Sequence, residues 1–187
     1  MKRSAATSPR RSKRTRSVNQ LLIPKKVPSN GHCLYIAVLE ASKNKGLNPG
    51  NTLENVDALR GNILEEMNKE KATEIKELLS EMNELEMVKK RISEGIGKRT
   101  VGKDLWAGQQ EIQIMKAIYD LNITLYRKDD ALSGKFEPVY GTDEVNEKGI
   151  ILTYINGNHY EWAEPRDWSE FLKAVNKKTK SLKSLKF

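Results

Sequence analysis

A lone cysteine and a distant histidine are the residues of this sequence whose types suit nucleophilic chemistry. Cys33 is the only cysteine among 187 residues, and it follows the polar turn Ser29–His32 at the start of an apolar run. A thiol attacks as the thiolate, and a helix N-terminus at this position would lower its pKa through the partial positive charge there. A free cysteine also packs as a small hydrophobe, so a purely structural Cys33 is the alternative.

A cysteine nucleophile needs a general base, and the sequence contains two histidines. His32 is adjacent to Cys33 and points in a different direction, so we expect it to face solvent or the rim of a cleft. His159 follows an Asn-Gly turn at the start of a predicted strand, which is a rigid and accessible mount. We therefore predict His159 as the base, with an ordinary hairpin residue as the alternative.

The base in turn needs a partner that holds its ring and its tautomer. Side chains alternate along a strand, so Glu161 lies on the same face as His159, and Tyr160 lies on the other. Asn158 and Asn30 are rival partners, and Glu161 could instead be a solvent-facing strand charge.

The turn before Cys33 offers backbone N–H groups as well. Gly31 permits a sharp turn, and free N–H groups from this turn and from the first helical residues could bind an oxyanion that develops on a carbonyl. One cysteine and two histidines are too few for a convincing zinc site, so we expect neither a metal nor a cofactor.

The elements that carry these residues follow from the periodicity of the apolar positions. Helical spacing runs from Cys33 to a stop near Gly46, a second helix is capped by Thr52, and two more helical stretches follow before residue 120. The third helix has a predicted inward face of Ile75, Leu78, Leu79, Met82 and Leu85. Strands are predicted over 122–127, 136–140, 149–155 and 159–164. Helices first and strands later predict an α+β fold with a mostly antiparallel central sheet flanked by helices.

Charge is divided unevenly along the chain, whose formal net charge is +8. Residues 1–16 carry seven cations, residues 172–187 carry six, and neither segment has an acidic residue. Without those 13 cations, 20 basic residues face 25 acidic ones, so the body of the chain is acidic. We predict a disordered basic arm over 1–18, one catalytic domain over 19–176 and a basic C-terminal tail over 177–187.

The basic run Pro9–Arg16 looks like a nuclear-import signal or a polyanion-binding segment, with a solubilising arm as the alternative. No apolar run approaches the roughly 20 residues that a bilayer crossing needs, and a single cysteine favours a reducing compartment. We therefore expect a monomeric protein of the cytoplasm or nucleus without a transmembrane segment, which could also act inside a host cell as an effector. The basic tails could bind an acidic partner.

Three blocks of the sequence, in order, are SNGHCLYIAV, LWAGQQEIQIMKAIYDLNITLY and NGNHYEWAEP. They resemble the nucleophile segment, the central Trp-Gly-Gly-x-x-Glu-Leu helix with its following strand, and the terminal Asn-His-Tyr segment of the ovarian-tumour (OTU) cysteine peptidases. The resemblance covers about residues 24–165. It implies a papain-like OTU fold in which Trp106 and Gly108 serve helix entry and core packing.

The resemblance implies a thiol-dependent deubiquitinase that hydrolyses bonds at the C-terminus of ubiquitin or a ubiquitin-like modifier. It implies Cys33 as the nucleophile and His159 as the base and then the acid. The remaining predicted catalytic residues depart from the family pattern, since Asn30 replaces a common Asp and Glu161 replaces Asp or Asn. The predicted substrate-binding residues are Gly31, His32, Asn158 and Trp162.

Three other functions remain open at this stage. An inactive OTU-like module could bind ubiquitin without cutting it, as the departures at Asn30 and Glu161 would permit. A related peptidase could process a polyprotein. Finally, the folded body could be non-catalytic, and the protein could bind nucleic acid or acidic membranes through its basic tails.

Overall fold

Alternating, β-branched segments in the second half of the chain pair with a short N-terminal strand into one sheet, and helices pack against it. The computed structural model describes residues 17–47, 55–69, 73–139 and 144–183, with side chains up to residue 177. The helices are α1 (Val18–Leu21), α2 (Cys33–Asn44), α3 (Val56–Glu66), α4 (Thr73–Glu81), α5 (Leu85–Glu94), α6 (Gln109–Tyr119) and α7 (Trp168–Lys183). The strands are β1 (Leu22–Lys25), β2 (Ile123–Lys128), β3 (Glu137–Pro138), β4 (Ile150–Ile155) and β5 (His159–Pro165). The predicted α+β class is confirmed.

The five-stranded sheet has the order β1-β5-β4-β2-β3. The pairs are antiparallel except β2 with β4, so the sheet is mixed but mostly antiparallel. β4 and β5 are joined at Asn156 and Gly157, whose φ values of 51° and 71° lie in the left-handed region that Asn and Gly adopt most readily. This turn fixes the register in which Ile155 pairs with His159, the pair next to the turn.

Helix α2 lies along β5 on one face of the sheet, and the two run in the same direction. The Tyr160 N–H donates to Cys33 Sγ near the start of both elements, and Trp162 Nε1 donates to Glu40 Oε2 further along. Apolar residues of α2, including the fully buried Ala37, pack with this face of the sheet in the main core. The first turn of α2 is therefore held against the first residues of β5.

The opposite face of the sheet is covered by α1 and α7. Leu21 of α1 and Phe171 of α7 are fully buried there against Tyr126 and Ile151 of the sheet. Asp167 opens α7 by accepting the Glu170 N–H at 2.8 Å. Within the described ranges, no helix combines the length and the apolar character that a membrane crossing requires.

Some predicted element boundaries differ from the structure. Strand β1 was not predicted, because it contains Pro24 and proline disfavours strands. Proline is tolerated here because β1 is an edge strand, where a missing N–H costs little. The predicted third helix is two helices, because Asn83 at φ 57° separates α4 from α5. The predicted inward face is wrong at Leu78 and Met82, which are 50% and 55% exposed.

The ends of the predicted domain lie partly outside the described residues. The predicted arm over 1–18 lies outside the described residues except for its last two, of which Val18 begins α1. The predicted tail over 177–187 begins inside α7, which runs to Lys183. The predicted cap Thr52 also lies outside the described residues, and α3 begins at Val56 after Asn55, whose side chain accepts the Ala58 N–H.

Candidate active site

Cys33 is the first residue of α2 and keeps 8% of its surface exposed. Its Sγ accepts the backbone N–H of Tyr160 over 3.5 Å, across 127 residues of sequence. Because Tyr160 is the second residue of β5, this contact brings the strand that begins with His159 against the nucleophile turn. The structure thus joins the two segments that the sequence analysis selected.

Burial raises the pKa of the Cys33 thiol, and the N–H groups of Tyr160, Leu34 and Cys33 act in the opposite direction with a smaller effect. The N–H groups at the start of α2 thus lower the thiol pKa, as expected, but burial outweighs them and the net shift is upward. A thiol that is neutral at rest needs a base that takes its proton as it attacks.

His159 is the first residue of β5, and its imidazole lies between its own strand and the nucleophile turn. Its Nε2 is 3.8 Å from Glu161 Oε1, and its Nδ1 is 3.5 Å from Ser29 Oγ. Glu161 is 8% exposed, on the strand face predicted for it. Since Ser29 is four residues before Cys33, Nδ1 is the ring nitrogen that faces the nucleophile segment.

Asn30 and Gly31 form the turn that precedes Cys33. Asn30 Oδ1 accepts the His32 N–H at 3.1 Å, and its Nδ2 donates to the Arg99 carbonyl at 3.4 Å, so this side chain holds the turn. Gly31 has φ 83°, and a Cβ there would lie 2.5 Å from the Val101 carbonyl oxygen. Only glycine fits this position without strain. The oxyanion roles predicted for this turn stay predictions.

His32 does not face solvent or a cleft rim, so the predicted substrate-binding role is wrong. It is 3% exposed, and its Nε2 lies 2.9 Å from the Lys98 carbonyl while its Nδ1 accepts from Arg60 Nη2 at 3.1 Å. Burial and the Arg60 charge lower the pKa of His32, whereas the Lys98 carbonyl and Asp57 act in the opposite direction. The ring belongs to the interior beneath the nucleophile turn.

The two other side chains predicted to bind substrate, those of Trp162 and Asn158, differ in exposure. Trp162 is 8% exposed, packs in the core between β5 and α2, and donates its Nε1 hydrogen to Glu40 at 2.9 Å. A substrate-binding role is therefore not supported for Trp162, because its ring packs in the core and its Nε1 hydrogen is already donated to Glu40. Asn158 is exposed in the turn directly before His159, and its predicted substrate contact stays a prediction.

The central sequence block provides the entry to α6, as predicted, but Trp106 is half-buried and lies outside both hydrophobic cores. Trp106 Nε1 donates to the Val101 carbonyl at 3.3 Å, which holds the loop that covers the nucleophile turn. Gly108 caps α6, and its N–H donates to Glu111 Oε2 at 2.7 Å. Glu111 is fully buried and pairs with Arg91 Nε at 2.8 Å.

Two residues near the site were missed by the sequence analysis. Ser29, which contacts His159, lies in the quoted polar turn, but nothing in its type marks it for a role. Arg60 is fully buried beneath the turn. Its position on the apolar stripe of α3, four residues after Val56 and three before Ile63, is the signal that could have identified it.

The family profile described as OTU-like cysteine protease matches residues 28–160. This match spans well over half of the chain and includes both Cys33 and His159. The chain belongs to the OTU-like cysteine protease family.

Solved structures with the same fold include several viral OTU domains. The OTU protease of Farallon virus is 13% identical, with 80% of this chain and 87% of that chain covered at a TM-score of 0.55. The OTU protease of Dera Ghazi Khan virus is 14% identical, with 83% and 88% covered at 0.55. The Hazara virus OTU, solved bound to ubiquitin, is 14% identical, with 81% and 86% covered at 0.50. No curated protein sequence matches significantly.

Proposed function

We propose that this chain is a deubiquitinase that hydrolyses peptide or isopeptide bonds at the C-terminus of ubiquitin or a ubiquitin-like modifier. The observation that carries the proposal is the meeting of Cys33, at the start of α2, with the first residues of β5, where His159 has Glu161 behind it. Membership of the OTU-like cysteine protease family supports the peptidase chemistry. The ubiquitin bound to the similar Hazara virus domain supports the substrate.

His159 takes the thiol proton in this mechanism. Its Nε2–H faces the Glu161 carboxylate, which leaves the Nδ1 lone pair toward the nucleophile segment. Proton transfer from Cys33 Sγ to Nδ1 creates an imidazolium that Glu161 stabilises electrostatically. Because the thiol pKa is raised by burial, this transfer occurs as the thiolate forms the bond to the substrate carbon.

In the same step the sulfur attacks the carbonyl carbon of the modifier's terminal glycine. The tetrahedral oxyanion is stabilised by backbone N–H groups at the start of α2, and collapse breaks the C–N bond as His159 donates its proton to the departing amine. Water attacks the resulting thioester with His159 again as the base. This step releases the modifier's carboxylate and restores the Cys33 thiol.

The charge of the protein body supports a substrate with a basic tail. Apart from the two cationic ends, 20 basic residues face 25 acidic ones. Such a body attracts a positively charged segment and repels polyanions at moderate ionic strength. The negative field therefore favours a modifier whose C-terminal tail carries arginines over nucleic acid as the partner of the folded part.

Hydrolysis of a fluorogenic ubiquitin C-terminal amide tests the proposal. The wild-type chain should release the fluorophore, and Cys33→Ala should reduce the rate to background because no other thiol exists in the chain. Parallel assays with ubiquitin-like modifiers and with linkage-defined diubiquitins identify the preferred substrate. Retention of full activity by Cys33→Ala would contradict the mechanism, and ubiquitin binding without turnover would favour the inactive module instead.

A further inference from the structure

The loop between α5 and α6 is fastened to the nucleophile turn at several points. The Val101 N–H donates to the Asn30 carbonyl at 3.0 Å, and Asn30 Nδ2 donates to the Arg99 carbonyl. His32 Nε2 lies 2.9 Å from the Lys98 carbonyl. Of the two side-chain bonds, the one from His32 is shorter than the one from Asn30. His32 is also the residue directly before Cys33.

The partners of His32 fix both its protonation state and its tautomer. A guanidinium has only donors, so the 3.1 Å contact between Arg60 Nη2 and His32 Nδ1 requires Nδ1 to be the acceptor. The carbonyl of Lys98 is only an acceptor, so Nε2 must carry the hydrogen. His32 is therefore neutral, with its hydrogen on Nε2.

Arg60 is itself held rigidly, so it can fix the ring. Its Nη1 donates to the Arg91 and Ile92 carbonyls at the end of α5, at 2.7 and 3.1 Å. Its guanidinium carbon lies 4.2 Å from the centre of the Tyr35 ring, and it packs against Gly95 where a Cβ would collide with it. The position of His32 is thus determined by α2, α3 and α5 together.

The charged groups around His32 determine how easily its ring can take up a second proton. Arg60 faces it directly from α3, and Asp57 of the same helix acts more weakly in the opposite direction. Arg91 of α5 is already paired with the buried Glu111 of α6. Protonation of Nδ1 would set two donors and two positive charges against each other at 3.1 Å, and the bond to Arg60 would break.

We propose that His32 is a positioning residue: through Arg60 and the Lys98 carbonyl it fixes the backbone of the turn that presents Cys33, and it does so only while it is neutral. The test of this role by turnover rests on the proposed function. It does not involve contact with substrate, because the ring is buried. Turnover should therefore depend on His32 while substrate affinity should not.

The first test compares His32→Phe with His32→Gln by steady-state hydrolysis of the ubiquitin amide. Phenylalanine fills the space but makes neither hydrogen bond, so kcat should fall about 10²-fold, the cost of a misplaced nucleophile, with KM within about threefold. The glutamine amide can accept from Arg60 and donate to Lys98, so it should restore kcat to within about tenfold of wild type.

A matched control removes a different hydrogen bond of α3. The Tyr119 hydroxyl donates to Asn62 at 2.8 Å, away from the nucleophile turn. Tyr119→Phe should lower the stability of the fold and leave kcat unchanged. A kcat in His32→Phe that equals wild type, or a fall of the same size in Tyr119→Phe, would overturn the positioning role.

The pH profile supplies a readout that a merely structural residue would not move. The acid limb of kcat/KM should be steeper by about one proton in wild type than in His32→Gln, which cannot titrate at this position. Equal slopes in the two proteins would contradict the requirement for a neutral ring. This comparison still decides the matter if His32→Phe fails to fold.

Alkylation of the lone cysteine by iodoacetamide separates this inference from the proposed function. His32→Phe should be alkylated several-fold faster than wild type, because release of the turn exposes the buried Cys33, whether or not the chain cleaves ubiquitin. Equal alkylation rates would overturn the inference by itself. Faster alkylation in a chain that does not hydrolyse the ubiquitin amide would support the positioning role and contradict the proposed function.

Discussion

The two histidines of this protein occupy opposite kinds of environment within one site. His32 is 3% exposed, and both of its ring nitrogens have partners at 2.9 and 3.1 Å. His159 is partly exposed, and its contacts to Glu161 and Ser29 are long, at 3.8 and 3.5 Å. A ring in close contact on both sides is held in one tautomer and one orientation, whereas a ring with longer contacts is held less tightly.

This contrast matches the tasks that we propose for the two residues, positioning for His32 and proton transfer for His159. His32 is the neighbour of Cys33 in sequence, yet it points away from the chemistry into the interior. His159 is distant in sequence, and the α2–β5 packing brings its strand to the thiol. Substitutions at the two histidines and at the partners of His159 test this division of tasks.

The largest expected effect is that of removing the base. His159→Ala should lower kcat for the ubiquitin amide by about 10³-fold, because general acid–base catalysis is lost at both chemical steps. His32→Gln, in the same assay, should stay within about tenfold of wild type. If the two variants show equal losses, the division between the histidines is wrong.

The next effect concerns the carboxylate behind His159. Glu161→Ala should lower kcat about tenfold, because a charge-assisted contact as long as 3.8 Å contributes less than a short one. Glu161→Gln keeps the size of the side chain without its charge and is the matched variant. Activity in Glu161→Gln equal to wild type would show that the charge of Glu161 is not used.

A smaller effect is expected on stability as a function of pH. The folded protein holds His32 at a pKa below its ordinary value of about 6.5, so the unfolded chain binds more protons as the pH falls through that value. The contribution of His32 is therefore fully present above pH 6.5 and is lost as the pH falls toward the lowered pKa. Urea unfolding between pH 7.5 and 5 should show a steeper loss for wild type than for His32→Gln.

The smallest expected effect is at Ser29. Its hydroxyl contact to His159 is long and exposed, so Ser29→Ala should change kcat by only about twofold. A fall of 10²-fold would instead make Ser29 essential for orienting the imidazole. Measurement of kcat and KM in the ubiquitin amide assay distinguishes these outcomes.

Local patterns were sufficient to predict most elements of the fold. The Asn-Gly turn has the positive φ values that its residues favour, and β4 and β5 flank it as predicted. Errors occurred where the local signal conflicts with the fold. Pro24 concealed an edge strand, and Asn83 interrupts an otherwise continuous apolar periodicity.

The site was predicted less completely than the fold, because the environment of a side chain depends on distant segments. The location of Cys33 at a helix start follows from local sequence, but its raised pKa follows from burial by tertiary packing. The orientation of His32 depends on Arg60, which is 28 residues away, and no spacing rule connects them. Trp162 likewise finds its partner Glu40 across 122 residues.

The most direct test of the central claim uses ubiquitin that carries an electrophile in place of its C-terminal carboxylate, followed by intact-mass spectrometry. With one cysteine in the chain, a single adduct reports attack by Cys33 without peptide mapping. The account predicts one ubiquitin adduct on wild type, none on Cys33→Ala, and a rate reduced by about 10³-fold on His159→Ala. An unlabelled wild type, or a His159→Ala variant labelled as fast as wild type, would contradict it.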